Sequence, residues 1–183
     1  MTTAPNVLRW THALYDQATA AGLFADRRVE LIDGELYEMP PMNAPHIGAT
    51  LYLETLFAPL LPAGRVRFAK PIILDQDGEP EPDITVVAPG APLKPGQAQV
   101  QLVIEVSDAT REFDRGAKLQ AYLDAGIAEI WMVDLVDREV LVYRAGALAR
   151  VVRPGSASGE LRPLAVPDIL VDVDALFRAA QQP

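Results

Sequence analysis

Two acids stand where acids are costly. Asp83 heads the apolar run Ile84-Thr85-Val86-Val87, and Glu105 lies inside Leu102-Val103-Ile104-Glu105-Val106. β-branched runs of this length, bounded by Pro/Gly-rich loops, read as core strands. A carboxylate on a core strand costs free energy unless something neutralises it. Behind Glu105, a segment expected to be helical carries Asp114, Lys118 and Tyr122 at four-residue spacing. Two strand acids and a nearby amine can hold a hard divalent cation through oxygen ligands and activate a water. Each residue also has an ordinary reading. Asp83 after Pro82 is a common turn residue, and Glu105 can be the buried partner of an arginine. Asp114 and Lys118 can be a surface i,i+4 pair, and Tyr122 can be core. What favours chemistry is their occurrence together, in one stretch from Glu81 to Asp134. Glu35 flanks a turn and reads either as a solvated charge or as a further site acid. His46 reads as a capping or surface histidine, not as a ligand.

The elements that must position these residues follow from period and punctuation. A helix is expected from about Thr11 to Ala21, with Thr11 as N-cap and Leu14, Ala18 and Ala21 inward. Arg28 to Met39 reads as a hairpin turning at Asp33-Gly34. Asn43 is placed to cap a helix from about Ala44 to Leu61, apolar through Ile47, Leu51, Leu53, Leu56 and Leu60. Arg65 to Leu74 reads as a strand with a bend or edge at Pro71. The Asp83 and Glu105 strands follow, then a helix from about Phe113 to Asp124 ended by Gly126. Glu129–Asp134 and Glu139–Arg144 read as two strands, with a further short pair near Leu148–Val152 and Glu160–Leu164. A last helix spans about Val173–Ala180 after Asp172. Residues 1–10 read as a loose lead-in, and 1–183 as one mixed α/β domain, a central sheet with helices against it.

Composition limits the chemistry. At 183 residues the chain is long enough for a substantial core. Cysteine is absent, which excludes thiol catalysis, disulfides and thiolate metal sites but not oxygen-ligand metals. No apolar run approaches the roughly 20 residues of a membrane span, and the first residues lack a signal-peptide pattern. A cytoplasmic location is the default expectation. The formal net charge of −9 weighs against a protein that coats nucleic acid nonspecifically. Lysine occurs only at 70, 94 and 118, so thirteen of the sixteen basic residues are arginine.

Taken in order, the segments ELIDGELYEM, EPDITVV and LVIEVSDAT, then Asp114, Lys118, Tyr122, Gly126 and EIWMVD, resemble the Uma family of restriction-endonuclease-like proteins. That family belongs to the PD-(D/E)XK nuclease superfamily. The resemblance spans about Glu30 to Arg144. It implies an α/β fold, a restriction-endonuclease-like mixed sheet flanked by helices. Pro82-Asp83 matches the PD, and Glu105 matches the acid of the (D/E)XK motif. Ser107 stands where the motif has lysine, and Lys118 matches a lysine moved onto the following helix. Ile130 replaces a common tyrosine. Glu35 matches the acid after the first Asp-Gly. The resemblance implies catalytic roles for Asp83, Glu105, Lys118 and Glu35, the last placing a second cation or a water. It implies Mg²⁺ or Mn²⁺ held by Asp83, Glu105 and the Val106 carbonyl. DNA is the implied substrate and a homodimer the implied assembly, with no membrane partner. Arg65, Arg67, Arg111 and Arg115 are candidates for phosphate contacts. The rival expectation is a catalytically silent module of the same fold, serving binding or assembly; hydrolysis of another phosphoester or of a sugar is a more distant third.

Overall fold

The chain enters through α1 (His12–Ala20), whose N-cap Thr11 accepts from the Leu14 N–H at 3.3 Å. The residue it buries is Tyr15, whose hydroxyl donates to the Val29 carbonyl at 2.5 Å. Leu14, expected inward, is 44% exposed, because the ring of Tyr15 stacks on Phe24 and takes the inward position. Strands β1 (Val29–Ile32) and β2 (Glu35–Glu38) form the expected hairpin. Asp33 and Gly34 turn it with φ of 46° and 72°, the left-handed pair that a tight two-residue hairpin requires. Helix α2 (Ala44–Phe57) is capped by Asn43, which accepts from the His46 N–H at 3.1 Å. Strand β3 (Val66–Phe68) is much shorter than Arg65–Leu74. Ala69 adopts φ 44° and Pro71 has no donor, so the ladder ends there.

Strands β4 (Ile84–Val87) and β5 (Val100–Ser107) follow. Next comes a helical run in three pieces: α3 (Arg111–Phe113), a wide π-type turn over Asp114–Lys118, and α4 (Leu119–Asp124). The run kinks at Gly116 (φ −101°, ψ −105°). Strands β6 (Glu129–Asp134) and β7 (Glu139–Arg144) keep the bounds expected of them. They precede β8 (Ala147–Val152), β9 (Glu160–Leu161), β10 (Val171–Asp172) and α5 (Val173–Ala179). The segments near Leu148–Val152 and Glu160–Leu164 do not pair with each other. Strand β8 pairs with β7, and β9 pairs with β10. This computed structural model describes residues 6–75, 77–157 and 159–181. Of the expected lead-in, residues 1–5 lie outside that set.

Six strands form one mixed sheet in the order β3-β4-β5-β6-β7-β8, with β5 and β6 parallel and the other neighbours antiparallel. The helical run 111–124 is the crossover that a parallel pair needs. Alternation along the strands sends Ile84, Val86, Leu102, Ile104, Trp131 and Val133 to one face, against α2 and α5. Val103, Ile130, Met132 and Leu141 face the other way, against α4. By the same alternation Glu105 stands on the α4 face. Helices α2 and α5 pack very closely: a Cβ on Gly48 would fall 2.3 Å from the Ala179 carbonyl oxygen. The inward side of α2 is therefore Ala49, Thr50, Leu53 and Phe57, while Ile47 and Leu51, expected inward, are 43% and 56% exposed.

Asp134 fixes the crossover to the end of β6. It is fully buried, its Oδ1 accepting from the Val136 and Asp137 N–H groups at 2.9 and 2.8 Å. Its Oδ2 accepts from Arg111 Nε at 2.6 Å and Arg115 at 2.7 Å. Burial raises its pKa, but the Asp137 amide and the two guanidiniums outweigh that and hold it below the usual carboxylate range. A lowered folded pKa gives stability that is present above the unfolded value of about 3.9 and lost as pH falls through the lowered one. Asp134→Asn is therefore expected to cost about 1.5–3 kcal/mol at neutral pH. In thermal melts followed by circular dichroism, the deficit should narrow between pH 7 and pH 3; an equal deficit at both would contradict this account. Among the described residues, no helix is long and apolar enough to cross a membrane.

Candidate functional site

Asp83 is held by its backbone before its side chain is considered. Pro80 and Pro82 stiffen the approach, and the Asp83 carbonyl accepts from the Ala69 N–H at 3.0 Å, extending the β3–β4 ladder by one rung. The register Ile84↔Ile104 then sets Asp83 opposite Glu105 across the β4–β5 pair. Directly opposed residues share a face, so both carboxylates point to the α4 side. Lys118 arrives from the crossover. In the wide turn, the Leu119 N–H bonds to the Asp114 carbonyl, and both Asp114 and Lys118 are buried. Such bulges recur where a helix must re-aim side chains. Here one turns two charged residues inward together.

The four groups meet in a cleft that Glu30, His46, Glu81 and Val106 also line. Lys118 Nζ stands 2.9 Å from Glu30 Oε2 and 3.0 Å from Glu105 Oε1. The Tyr122 hydroxyl donates to the same Glu105 Oε1 at 2.5 Å. Asp83 Oδ2 accepts from the Val106 N–H at 2.7 Å and faces His46 Nε2 at 3.3 Å. The Thr110 hydroxyl donates to Asp114 Oδ2 at 2.5 Å. The two strand acids are alike in one respect. Glu105 uses only Oε1 and Asp83 only Oδ2, so each keeps an oxygen without a protein partner among the described residues.

Four acids, Glu30, Asp83, Glu105 and Asp114, surround one ammonium. Burial pushes Glu105 well above the usual carboxylate range; Lys118 opposes that, and the neighbouring acids add to it. Burial raises Asp114 as well, against Lys118 and the Thr110 hydroxyl. Burial also resists charge on Lys118, but Glu105, Glu30, Asp114 and Asp83 outweigh it and raise its pKa, so the amine stays protonated. Burial and the adjoining Glu105 carboxylate push the Tyr122 phenol well up, which keeps it a donor. The pocket therefore gathers four carboxyl groups around one ammonium, with two unused carboxylate oxygens. That donor set suits a hard dication. The cleft offers about 50 Å³, enough for a cation and a few waters but not for a nucleotide. A larger substrate would have to present its phosphate at the mouth.

The structure thus brings together Asp83, Glu105, Lys118 and Val106. It does not bring Glu35. That side chain sits exposed at the turn end of the hairpin, and its Oε2 accepts from the Tyr37 hydroxyl at 2.7 Å. The hairpin acid that reaches the pocket is Glu30, two residues from the turn on the buried stretch of β1. Its signal was available, because Val29-Glu30-Leu31-Ile32 is an acid inside an apolar run, as in β5. His46, read as a capping or surface residue, is also in the cleft, with its Nδ1 sealed from solvent and unpartnered. Nothing in its spacing marks it. The four candidate phosphate-binding arginines are occupied inside the protein. Arg111 and Arg115 hold Asp134; Arg65 donates to Gln101 at 2.8 Å and Arg67 to the Gly64 carbonyl at 2.6 Å.

Comparison with known proteins gives three findings. A family model, Uma2, described as "Putative restriction endonuclease", matches residues 14–174. Among four solved chains that match is a protein from Anabaena variabilis described as a putative nuclease. It is 15% identical, with a TM-score of 0.63 over 85% of this chain and 92% of that one. At that identity the likeness establishes the shared fold, a mixed sheet flanked by helices. No curated protein matches.

Proposed function

The chain belongs to the Uma2 family, described as "Putative restriction endonuclease", and from that premise we propose that it hydrolyses DNA phosphodiester bonds with the help of Mg²⁺ or Mn²⁺ at the Asp83–Glu105 pocket. The observation that carries this reading is the pair of unused oxygens on opposed strand acids, in a pocket that gathers four carboxyl groups around one ammonium. Asp83, Glu105 and the Val106 carbonyl are the groups that would hold the cation. When bound, it would polarise the scissile phosphate and make a water more acidic.

The remaining roles belong to the chain's own groups. Lys118 is held protonated by its ring of acids, so it serves as a fixed positive charge beside the phosphate rather than as a base. Glu30 orients that ammonium from the hairpin side. Tyr122 pins one oxygen of Glu105 and leaves the other to the cleft. His46 and the Val106 amide do the same for Asp83. Groups that orient a ligand typically change metal affinity by about 10–100-fold. His46→Ala is therefore expected to weaken Mn²⁺ binding by that factor while cleavage at saturating Mn²⁺ largely survives; unchanged affinity in a calorimetric titration would remove the role.

The direct test is cleavage of supercoiled and linear DNA with Mg²⁺, Mn²⁺ or chelator. Nicks or breaks that need the metal are expected. A second reading, the catalytically silent module, is favoured by the internal engagement of all four candidate arginines and by the net charge of −9. Salt-dependent DNA binding without any metal-dependent nicking would select it. Cutting both strands calls for two pockets, so the active form is proposed to be a homodimer, acting in the cytoplasm.

A further inference from the structure

A second group of metal-ligating side chains lies apart from the cleft, and no role in the proposed reaction uses it. His12 and Asp16 sit one turn apart on α1, and Glu79 approaches from the segment before β4. One ligand atom from each falls within 4.8 Å of the other two. We propose that His12, Asp16 and Glu79 form a cation site of the kind that takes Zn²⁺, independent of the Asp83–Glu105 pocket.

Three observations carry it. First, Lys94 already orients both carboxylates. Its Nζ takes Glu79 Oε1 at 2.7 Å and Asp16 Oδ1 at 2.9 Å, which leaves Oε2 and Oδ2 turned toward the imidazole. Fixing one oxygen of a carboxylate so that the other faces the metal is the usual work of groups around a metal centre. Second, His12 Nε2 and Glu79 Oε2 are sealed from solvent and only 2.6 Å apart, yet neither has the alignment of a hydrogen bond. The Glu79 side chain is 5% exposed, so bulk solvent does not reach that oxygen. A cation between the two atoms would partner both. Third, the spacing is close to that of a tetrahedral site. Bonds of about 2.0–2.1 Å set ligand atoms about 3.3 Å apart. His12 Nε2 lies 3.4 Å from Asp16 Oδ2, and the shorter contact to Glu79 must open by about 0.7 Å. One imidazole nitrogen with two carboxylate oxygens suits Zn²⁺ better than Mg²⁺, which prefers oxygen alone. Asp16, nearly half exposed, leaves the fourth position to water.

Such a cation would be structural. The Glu79 N–H donates to the Leu31 carbonyl at 2.7 Å, so this segment is already joined to β1 beside Glu30. Four residues on lies Asp83. A cation shared by α1 and Glu79 would clip the first helix to the strand segment that leads into the cleft.

The test uses Co²⁺ as a spectroscopic probe and the full-length chain. In an Asp83→Asn/Glu105→Gln background, one equivalent of Co²⁺ should still bind, with the visible absorption of a four-coordinate centre, and Zn²⁺ should displace it. Adding His12→Asn should weaken binding at least about 100-fold. Asp16→Asn, at a more exposed position, should weaken it too, and circular dichroism confirms that each variant is folded. Zn²⁺ should raise the melting temperature of the unsubstituted chain but not of His12→Asn. Failure of the double variant to bind Co²⁺, or equal affinity in the presence and absence of His12, overturns the proposal. Neither result bears on cleavage.

Discussion

Glu105→Gln is expected to lower metal-dependent cleavage by at least about 10³-fold, and Asp83→Asn should do the same. Both replacements keep the shape and remove the charge. The amide cannot supply the anionic oxygen that the cleft otherwise holds free. Isothermal titration should show the Mn²⁺ heat lost in each. Both variants are expected to fold. Burial already opposes charge at Glu105, so a neutral isostere relieves a desolvation cost. Lys118 keeps Glu30 at 2.9 Å, so the melting temperature of Glu105→Gln should be unchanged or higher. Variants that titrate Mn²⁺ as the parent does would end the assignment of this pocket as the metal centre.

Lys118→Met should have the largest effect on stability. The ammonium is 3% exposed and lies within 3.0 Å of both Glu30 and Glu105. Methionine fills the space but leaves those buried acids without their cation. Breaking a buried pair by removing one partner costs about 3–5 kcal/mol. For a chain of this size that is a fall of roughly 6–20 °C in melting temperature. Adding Glu30→Gln removes one stranded charge and should recover part of the loss, a coupling that a double-mutant cycle measures. A Lys118→Met chain that melts with the parent would mean that the acids do not depend on the amine.

Much of the site could be read before its geometry was known, and the parts that could not have identifiable causes. Strands β6 and β7 keep their expected bounds because a continuous apolar run on each side meets a clear turn between them. Thr11 and Asn43 cap their helices as expected, since capping is a local property of side chain and backbone. Asp83 and Glu105 betray themselves as charges at the head of or inside apolar runs, and Lys118 by its four-residue spacing from Asp114. Glu30 carries the same mark, whereas Glu35 is singled out by a motif rather than by a burial pattern. The buried side of α2 misled for a different reason. Close contact with α5 at Gly48 demands small residues, and Ala49 and Thr50 give no apolar signal. The engagement of Arg65 and Arg111 is not legible in the sequence because their partners are distant: 36 residues separate Arg65 from Gln101 and 23 separate Arg111 from Asp134.

The single parallel pair at the centre of the sheet has a consequence for how the pocket is made. Asp83 and Glu105 become neighbours through one antiparallel pairing and an intervening loop. Lys118 cannot join them until the chain has crossed over the sheet and returned as β6. Parallel closure of this kind is a late, long-range event in folding. A ligand that requires all three groups recognises only the finished molecule, and by mass action it draws the population toward that state.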